Sequence, residues 1–331
     1  MIFVATLVIV FILTVLILKK LIPVLKSKKM GQPIYEIGPR WHKSKEGTPT
    51  MGGLGFIIPS VVVGGAGAAA IALTDGIKAA LPLILTLALG LAGGLIGVID
   101  DRAKLRKKQN EGLTAPQKFI LQTVVSALYL FGMTLVCGTN TELYIPFADI
   151  TVDLGIFYYI IAMLLLTGVI NSVNLTDGID GLCSSVTLVV GAFFTVVAFF
   201  AGEAVDAGLA EVGAVLIGAC AGFLVYNFYP ARVFMGDTGS LFLGGLVIGG
   251  AFMMKNPLIV VIYGIVYIIE TASVILQVGF FKLTHGKRLF KMSPIHHHFE
   301  QCGWSEIKIV VVASLITVAA SAVAYFFGLA G

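Results

Sequence analysis

The sequence predicts an all-α membrane protein that crosses the bilayer ten times, and three observations indicate this fold class. Of 331 residues, 58% are hydrophobic and 12% are charged, whereas about a quarter of the residues in a soluble domain are charged. The mean hydropathy is +0.98. Apolar runs of about 20 residues, the length that crosses a bilayer core of roughly 30 Å, recur along the chain. We therefore expect a single membrane domain over residues 1–331.

Ten apolar segments are predicted to span the membrane. Gly and Ala are frequent in many of them, as in packed membrane helices. The eighth segment is short, and the ninth contains Glu270 and approaches Gln277 and Lys282, so we expect that helix to tilt or bend. The predicted spans are 2–22, 51–73, 79–99, 119–138, 155–173, 182–201, 209–229, 240–254, 257–281 and 306–329.

The distribution of Lys and Arg predicts the orientation of these spans, because cytoplasmic loops carry an excess of both residues. The loops after spans one, three, five, seven and nine, with their helix ends, hold 8, 6, 0, 1 and 5 of them, which is 20 of the 22 in the chain. Only Lys78 and Lys255 lie on the opposite side. We therefore expect external termini and five cytoplasmic loops that form the active site. The longest external loop, TELYIPFADITVD, alternates enough to predict a small β-hairpin.

Polar motifs from loops far apart in the chain are all predicted to meet at this cytoplasmic face. Such a convergence of carboxylates, glycines and histidines predicts a functional site more strongly than any one motif does. The motifs are GTPTMGG (47–53), VIDDRAK (98–104), VNLTDGIDG (173–181), FMGDTGS (234–240) and PIHHHFE (294–300).

Two of these motifs bring carboxylates to helix ends. Asp100 and Asp101 end the third span, where the helix dipole disfavours anions by up to about 1 kcal/mol. Neutralisation by Arg102 and Lys104 is one interpretation, and a magnesium or proton-transfer site is the favoured one, because adjacent carboxylates gain from a divalent cation. Asp237 lies in a glycine-rich turn that opens the eighth span, where free N–H groups form an anion site. The absence of GK[ST] excludes a Walker A loop.

The motif VNLTDGIDG is predicted to bind a ligand through its polar side chains. Asn174, Asp177 and Asp180 recur every three residues, so on a helical turn they would share one face. Asn and Asp at that spacing can pair with a base edge or with ribose hydroxyls, and Gly178 would allow a close approach. No Lys or Arg lies in this loop, which weakens the interpretation of a merely solvated helix end.

The motif PIHHHFE contains three successive histidines, His296 to His298. Three adjacent histidines rarely bind one zinc ion, and HExxH is absent. A position among lipid headgroups is one interpretation. The favoured interpretation is that these histidines donate hydrogen bonds to phosphate and that one of them takes part in proton transfer.

These motifs, in this order across ten spans, resemble the bacterial phospho-N-acetylmuramoyl-pentapeptide-transferase family, a branch of the polyprenyl-phosphate N-acetylhexosamine-1-phosphate transferase superfamily. The resemblance runs from about Pro23 to the end of the chain. The aspartate motifs mark the superfamily, and PIHHHFE with GTPTMGG narrows it to the muramoyl-pentapeptide branch. Ile179 stands where relatives often have Leu, which alters no chemistry.

The resemblance implies a reaction, a cofactor and partners. UDP-N-acetylmuramoyl-pentapeptide and undecaprenyl phosphate would give undecaprenyl-diphospho-muramoyl-pentapeptide (lipid I) and UMP, with Mg²⁺ and without nucleic acid, in peptidoglycan biosynthesis. It also implies a homodimer in the bacterial plasma membrane, with the active site on the cytoplasmic face.

The resemblance also implies roles for individual residues. Asp237 is expected to be the main magnesium ligand, with help from Asp101 or Asp100, and Phe234 is expected to stack on uracil. Asp101 is taken as the second ligand, and Asp100 is the weaker candidate for a general base. The predicted catalytic residues are Asp100, Asp101, Asp237 and His297. The predicted substrate-binding residues are Lys45, Thr50, Lys118, Asn174, Asp177, Gly178, Asp180, Phe234, Gln277, His296 and His298.

Two other functions remain alternatives. A sister transferase would take UDP-N-acetylglucosamine. A secondary transporter would suit Glu270 and the glycine-broken spans, although the acids gather at one face rather than at the midplane. For the transfer reaction itself, a two-step route through an aspartyl-phosphate is the alternative mechanism.

Overall fold

The computed structural model describes residues 2–28, 45, 47–107, 112–138, 141–202 and 206–329. Within these residues, ten helices are long and apolar enough to span a membrane, which confirms the predicted fold class. Residues 29–44, part of the basic loop used to predict orientation, lie outside the described residues. The helices are α1 (Ile2–Ser27), α2 (Leu54–Thr74), α3 (Ile77–Lys107), α4 (Ala115–Cys137), α5 (Ile156–Thr176), α6 (Leu182–Phe200), α7 (Ala207–Asn227), α8 (Gly236–Met253), the short α9 (Val260–Tyr263), α10 (Ile265–Leu283), the short α11 (Ile295–Gln301) and α12 (Glu306–Val323).

The ninth predicted span is bent, as expected. A 3-10 turn at Pro257–Ile259 leads into α9, and the chain breaks at Gly264 before α10 continues. A side chain at Gly264 would put its Cβ 2.5 Å from the carbonyl oxygen of Val260, so the turn requires glycine. The bend leaves α10 as a separate helix beside α5 and α12.

Helix α8 lies at the centre of the bundle and is almost entirely buried. It packs against α3 backbone to backbone, because glycines on both helices remove the side chains between them. A Cβ at Gly245 would lie 2.7 Å from the Cα of Gly90, and a Cβ at Gly97 would overlap the carbonyl oxygen of Asp237. This close packing brings the end of α3 against the start of α8.

The β-hairpin predicted for the segment TELYIPFADITVD is present. Strands β1 (Glu142–Ile145) and β2 (Ile150–Asp153) pair antiparallel between α4 and α5. Because consecutive spans alternate in direction, the hairpin lies at one end of the bundle. The opposite end, where α3, α5, α7 and α10 end and α4, α6, α8 and α12 begin, is called the site end below.

Candidate active site

Three aspartates meet at the site end where α3 ends and α8 begins. Asp100, Asp101 and Asp237, called the acidic cluster, each offer an oxygen within 4.8 Å of the others. Asp100 is 2% exposed and Asp101 is fully buried. Buried like charges repel strongly unless cations or hydrogen bonds compensate them. Oxygen ligands of this kind suit a hard divalent cation such as Mg²⁺.

Asp101 holds the start of α8. Its Oδ1 accepts the backbone N–H of Asp237 at 3.2 Å, and its Oδ2 accepts the N–H of Thr238 at 2.9 Å and the hydroxyl of Thr238 at 2.7 Å. Two of the N–H groups predicted to bind an external anion at this helix start are therefore already paired with Asp101. Gly236 has a φ of +69°, and a Cβ there would lie 2.5 Å from Asp101 Oδ2, so this approach requires glycine.

Two lysines compensate the charge of Asp237. Lys118 Nζ lies 2.7 Å from Asp237 Oδ2, and Lys104 Nζ lies 3.1 Å from the same oxygen. Lys104 also lies 2.7 Å from Asp100 Oδ2 and 3.9 Å from Asp101 Oδ1. The motif VIDDRAK predicts only a neutralising role for Lys104, but the structure places its Nζ in contact with all three carboxylates. Its i,i+4 spacing from Asp100 on α3 is the sequence signal for this position.

The start of α4 sets the position of Lys118. Thr114 and Gln117 form a capping box, in which each side chain accepts the backbone N–H of the other residue. Leu113, just before this cap, donates its N–H to Asp100 Oδ1 at 2.8 Å. The start of α4 is therefore tied directly to the acidic cluster.

The motif VNLTDGIDG divides between two places, so the prediction that Asn174, Asp177 and Asp180 share one face is wrong. Asn174 donates to Asp237 Oδ1 at 3.1 Å and to Ser240 at 2.7 Å. Asp180 instead faces the start of α12. The physical reason is that α5 ends at Thr176 and the chain reverses into α6.

Asp180 belongs to a second buried group with Lys45 and Glu306, called the Lys45 cluster. Lys45 Nζ lies 2.7 Å from both Asp180 Oδ1 and Glu306 Oε2. Asp180 Oδ2 accepts the N–H of Ala231 at 2.8 Å, and Glu306 Oε2 accepts the N–H of Asp180 at 2.9 Å. VNLTDGIDG itself contains no Lys or Arg, but Lys45 reaches its Asp180 from 135 positions away in the chain.

At the site end, Lys45 and Asp177 lie outside the spans and have shifted pKa values. Burial alone would lower the pKa of Lys45, but its hydrogen bonds to Asp180 and Glu306 outweigh burial and raise the pKa, so Lys45 stays charged. Burial raises the pKa of Asp177 to about 8, and the negative charges of Asp237, Asp101 and Asp180 add to the effect. Sequence reasoning missed Glu306, which looks like an ordinary first-turn acid of α12.

The segment GTPTMGG pairs with the segment before α8. Phe234 donates its N–H to Pro49 at 2.9 Å, and Gly52 donates its N–H to Phe234 at 2.8 Å. Thr50 is 1% exposed, and its hydroxyl has no hydrogen-bond partner among the described residues. Phe234 is half-buried. The predicted residues Thr50 and Phe234 are thus brought beside Gly236 and the acidic cluster.

The three histidines have three different surroundings. His296 is 1% exposed, and its Nδ1 lies 2.9 Å from Glu270 Oε2. His297 Nδ1 lies 2.6 Å from Glu300 Oε2 on the next turn of α11. His298 Nδ1 accepts the N–H of Lys291 at 3.1 Å.

Gln277 holds the loop between α10 and α11. Its Oε1 accepts the N–H groups of Leu289 at 3.0 Å and Phe290 at 2.8 Å, and its Nε2 donates to the carbonyl of Phe290 at 3.1 Å. The substrate-binding roles predicted for Gln277 and for the histidines stay predictions.

Buried carboxylates and lysines that converge at one end of a bundle of membrane helices are the arrangement of an integral-membrane enzyme whose substrates are anionic. Comparison with known proteins agrees with this class. The sequence profile of glycosyl transferase family 4 matches residues 81–255 of this chain.

Similar proteins extend the match over most of the chain. The phospho-N-acetylmuramoyl-pentapeptide-transferase of Clostridium novyi is 48% identical over 90% of this chain and 88% of its own length. That of Clostridioides difficile is 42% identical over 95% of this chain and 94% of its own length. That of Clostridium acetobutylicum is 45% identical over 92% of both chains. The chain belongs to glycosyl transferase family 4 and, within it, to the phospho-N-acetylmuramoyl-pentapeptide-transferase family.

Proposed function

We propose that this multi-pass membrane enzyme transfers phospho-N-acetylmuramoyl-pentapeptide from its UDP conjugate to undecaprenyl phosphate, giving lipid I and UMP in peptidoglycan biosynthesis. The relatives named for this activity support the proposal. The observation that carries it is the acidic cluster with Lys104 and Lys118 at the ends of membrane spans. At that depth a soluble diphosphate and a lipid phosphate in the headgroup plane can meet.

The acidic cluster fits Mg²⁺ as the cofactor, because its three carboxylates lie within ligand distance of one another and supply the oxygen donors that this ion prefers. We assign the ion to Asp237, with Asp101 or Asp100 as the second ligand. Asp100 Oδ2 and Asp237 Oδ2 both face Lys104. When bound, the cation would offset the charge on the diphosphate and on the leaving UMP.

The lysines of the site orient the phosphates. Lys104 and Lys118 each form an ion pair with Asp237. When the diphosphate binds, its negative charge can replace Asp237 as the partner of these lysines. The lipid phosphate has a second pKa near 6 if it behaves like a phosphoserine, so it is already mostly dianionic at pH 7. Positioning then matters more than a general base, and Asp100 as a base is secondary. His297 is proposed as a catalytic residue that donates a hydrogen bond to the reacting phosphates.

The nucleotide binds beside the acidic cluster in this proposal. VNLTDGIDG, through Asn174, Asp177, Gly178 and Asp180, holds uridine, and Phe234 stacks on the uracil ring. The remaining contacts, to phosphates, sugar or peptide, are assigned to Lys45, Thr50, Lys118, Gln277, His296 and His298.

The site end faces the cytoplasm of a bacterial cell in this proposal, and the enzyme works as a homodimer in the plasma membrane. The excess of Lys and Arg in the loops at that end supports this orientation. Chemical labelling of single cysteines introduced in intact cells tests it. A cysteine at Asp149, in the hairpin, should react with an impermeant reagent. A cysteine at Arg288 should react only after lysis, and the reverse pattern would overturn the orientation.

The activity is tested with purified protein, undecaprenyl phosphate, UDP-N-acetylmuramoyl-pentapeptide and Mg²⁺. We expect release of UMP together with a lipid-linked product, and no product with UDP-N-acetylglucosamine. Product with the second nucleotide alone would identify a sister transferase. Solute flux into liposomes without any UMP release would identify a transporter. A trapped phosphorylated aspartate would establish the two-step route.

A further inference from the structure

Glu270 is a carboxylate inside a membrane span, and its partners come from another helix. It lies in α10 and is 3% exposed. An ionisable group at such depth is costly, so it marks a functional position by default. Its Oε2 accepts the backbone N–H of His296 at 3.4 Å and lies 2.9 Å from Nδ1 of the same residue. Since α10 extends 13 residues beyond Glu270, or about 20 Å, α11 folds back along α10 to make this contact.

The contact with Glu270 determines which ring nitrogen of His296 carries the hydrogen. An oxygen that already accepts one N–H is an acceptor, so Nδ1 carries the hydrogen and donates it to Glu270. In the neutral ring, the other nitrogen, Nε2, then carries a lone pair. Nε2 is buried and has no hydrogen-bond partner in the part of the chain that the structure describes.

Nε2 of His296 faces Gly178 in the motif VNLTDGIDG. A Cβ placed on Gly178 would overlap Nε2, and its next contacts would be with carbon atoms of the same ring. Only glycine at position 178 therefore allows the ring to reach this loop. Glu270, His296 and Gly178 connect the interior of α10 to the loop that is proposed to hold the nucleoside.

We propose that Glu270 is a positioning residue for the transfer reaction, holding His296 in one orientation and one tautomer so that Nε2 accepts a hydroxyl or N–H donor of the nucleotide substrate beside Gly178. The inference rests on the proposed function for the identity of the substrate. It differs from donation to phosphate, the role expected from the sequence, because a nitrogen with a lone pair accepts a hydrogen bond.

A double-mutant cycle separates this role from a structural one. Glu270→Leu removes both acceptor contacts and places an apolar side chain in the span. We expect kcat/KM for the nucleotide to fall roughly 10- to 100-fold, the loss typical when a carboxylate that orients a metal-binding histidine is removed. Glu270→Gln keeps an oxygen acceptor and should recover most of the activity. In a His296→Asn background, Glu270→Leu should cause at most about a twofold further loss, because it acts only through His296.

The chain offers a matched control in Glu211. This glutamate is also buried in a span, at 2% exposure, but it lies 16 residues before the site end of α7. Glu211→Leu should leave kcat/KM unchanged if the loss in Glu270→Leu comes from the site. Equal losses in both variants, or a full Glu270→Leu effect in the His296→Asn background, would overturn the inference.

The tautomer gives a readout that needs no turnover. In protein labelled with ¹⁵N-histidine, the His296 signals, identified by their loss in His296→Asn, should be those of the Nδ1–H form and should change in Glu270→Leu. A doubly protonated ring in the unmodified protein, or signals that Glu270→Leu leaves unchanged, would overturn the assignment. Absence of UMP release from the unmodified protein would instead refute the proposed function, while this spectroscopic measurement would still test the contact.

Discussion

The acidic cluster and the Lys45 cluster lie at the same end of the bundle, and in both of them carboxylates pair with lysine. Their carboxylates otherwise contact different groups. In the Lys45 cluster, both carboxylates accept backbone N–H groups, Asp180 from Ala231 and Glu306 from Asp180. These bonds fix the backbone of VNLTDGIDG against the loop before α8 and the start of α12. The Lys45 cluster therefore shapes the site.

The acidic cluster combines both kinds of contact. Asp101 accepts two backbone N–H groups of α8 and so resembles the Lys45 cluster. Within the described residues, the Asp237 carboxylate instead contacts side chains: Lys104, Lys118 and Asn174, and that of Asp100. Burial and charge therefore do not distinguish a carboxylate that supports the backbone from one that takes part in the chemistry, whereas the partners of each carboxylate do.

The largest expected effect comes from Asp237, whose carboxylate accepts no backbone hydrogen bond from the residues that the structure describes. Asp237→Asn should lower kcat by about 1000-fold while the melting temperature in detergent stays close to that of the unmodified protein. UMP release and thermal unfolding measure the two quantities. Asp75→Asn, at the opposite end of the bundle, is the matched control and should keep full activity. Near-normal turnover of Asp237→Asn would remove Asp237 from the metal site.

Asp101 should respond differently, because it supports α8. Asp101→Asn replaces one acceptor oxygen by an amide that cannot accept the N–H and hydroxyl of Thr238. We expect a destabilisation of about 1–3 kcal/mol, seen as a lower melting temperature, together with a loss of turnover. If Asp101→Asn lost turnover without any change in melting temperature, Asp101 would act in the reaction, as Asp237 does, and would not be needed to support α8.

A smaller effect is expected in the Lys45 cluster. Glu306→Gln weakens the pairing with Lys45 and with the N–H of Asp180, so the nucleotide loop becomes less well fixed. We expect KM for the UDP substrate to rise roughly 5- to 10-fold, equivalent to about 1 kcal/mol of hydrogen bonding, with little change in kcat. Steady-state kinetics measures both. A fall in kcat at unchanged KM would contradict a scaffold role.

The smallest effect concerns pH. Because the pKa of Asp177 is raised to about 8, its carboxyl is mostly neutral below pH 8 and becomes negative above it. The added charge should repel an anionic nucleotide, so the Kd of UMP should rise several-fold between pH 7 and 9. Asp177→Asn, which imitates the neutral form, should show a flatter profile in calorimetric titrations. Identical profiles for both proteins would contradict the shift.

Much of the architecture could be predicted, because span length and apolar composition are local properties of the chain. The ten spans, the bent ninth span and the hairpin were all predicted correctly. The boundaries of α3 and α8 were less accurate. Asp100 and Asp101 continue the helix of α3, and α8 begins at Gly236 rather than at residue 240, because polar residues that pair with one another inside the bundle lie within these helices.

The sequence by itself determined the ten-span fold, the family and the set of polar motifs that meet at one end of the bundle. Only the tertiary structure decided which of these side chains face each other. In the folded protein Asn174 and Asp180 contact different clusters, Lys45 pairs with Glu306, and His296 lies beside Glu270. The physical reason is that buried charges must find partners wherever the packed helices supply them. Those partners lie up to 261 positions apart in the chain, so no local pattern encodes them.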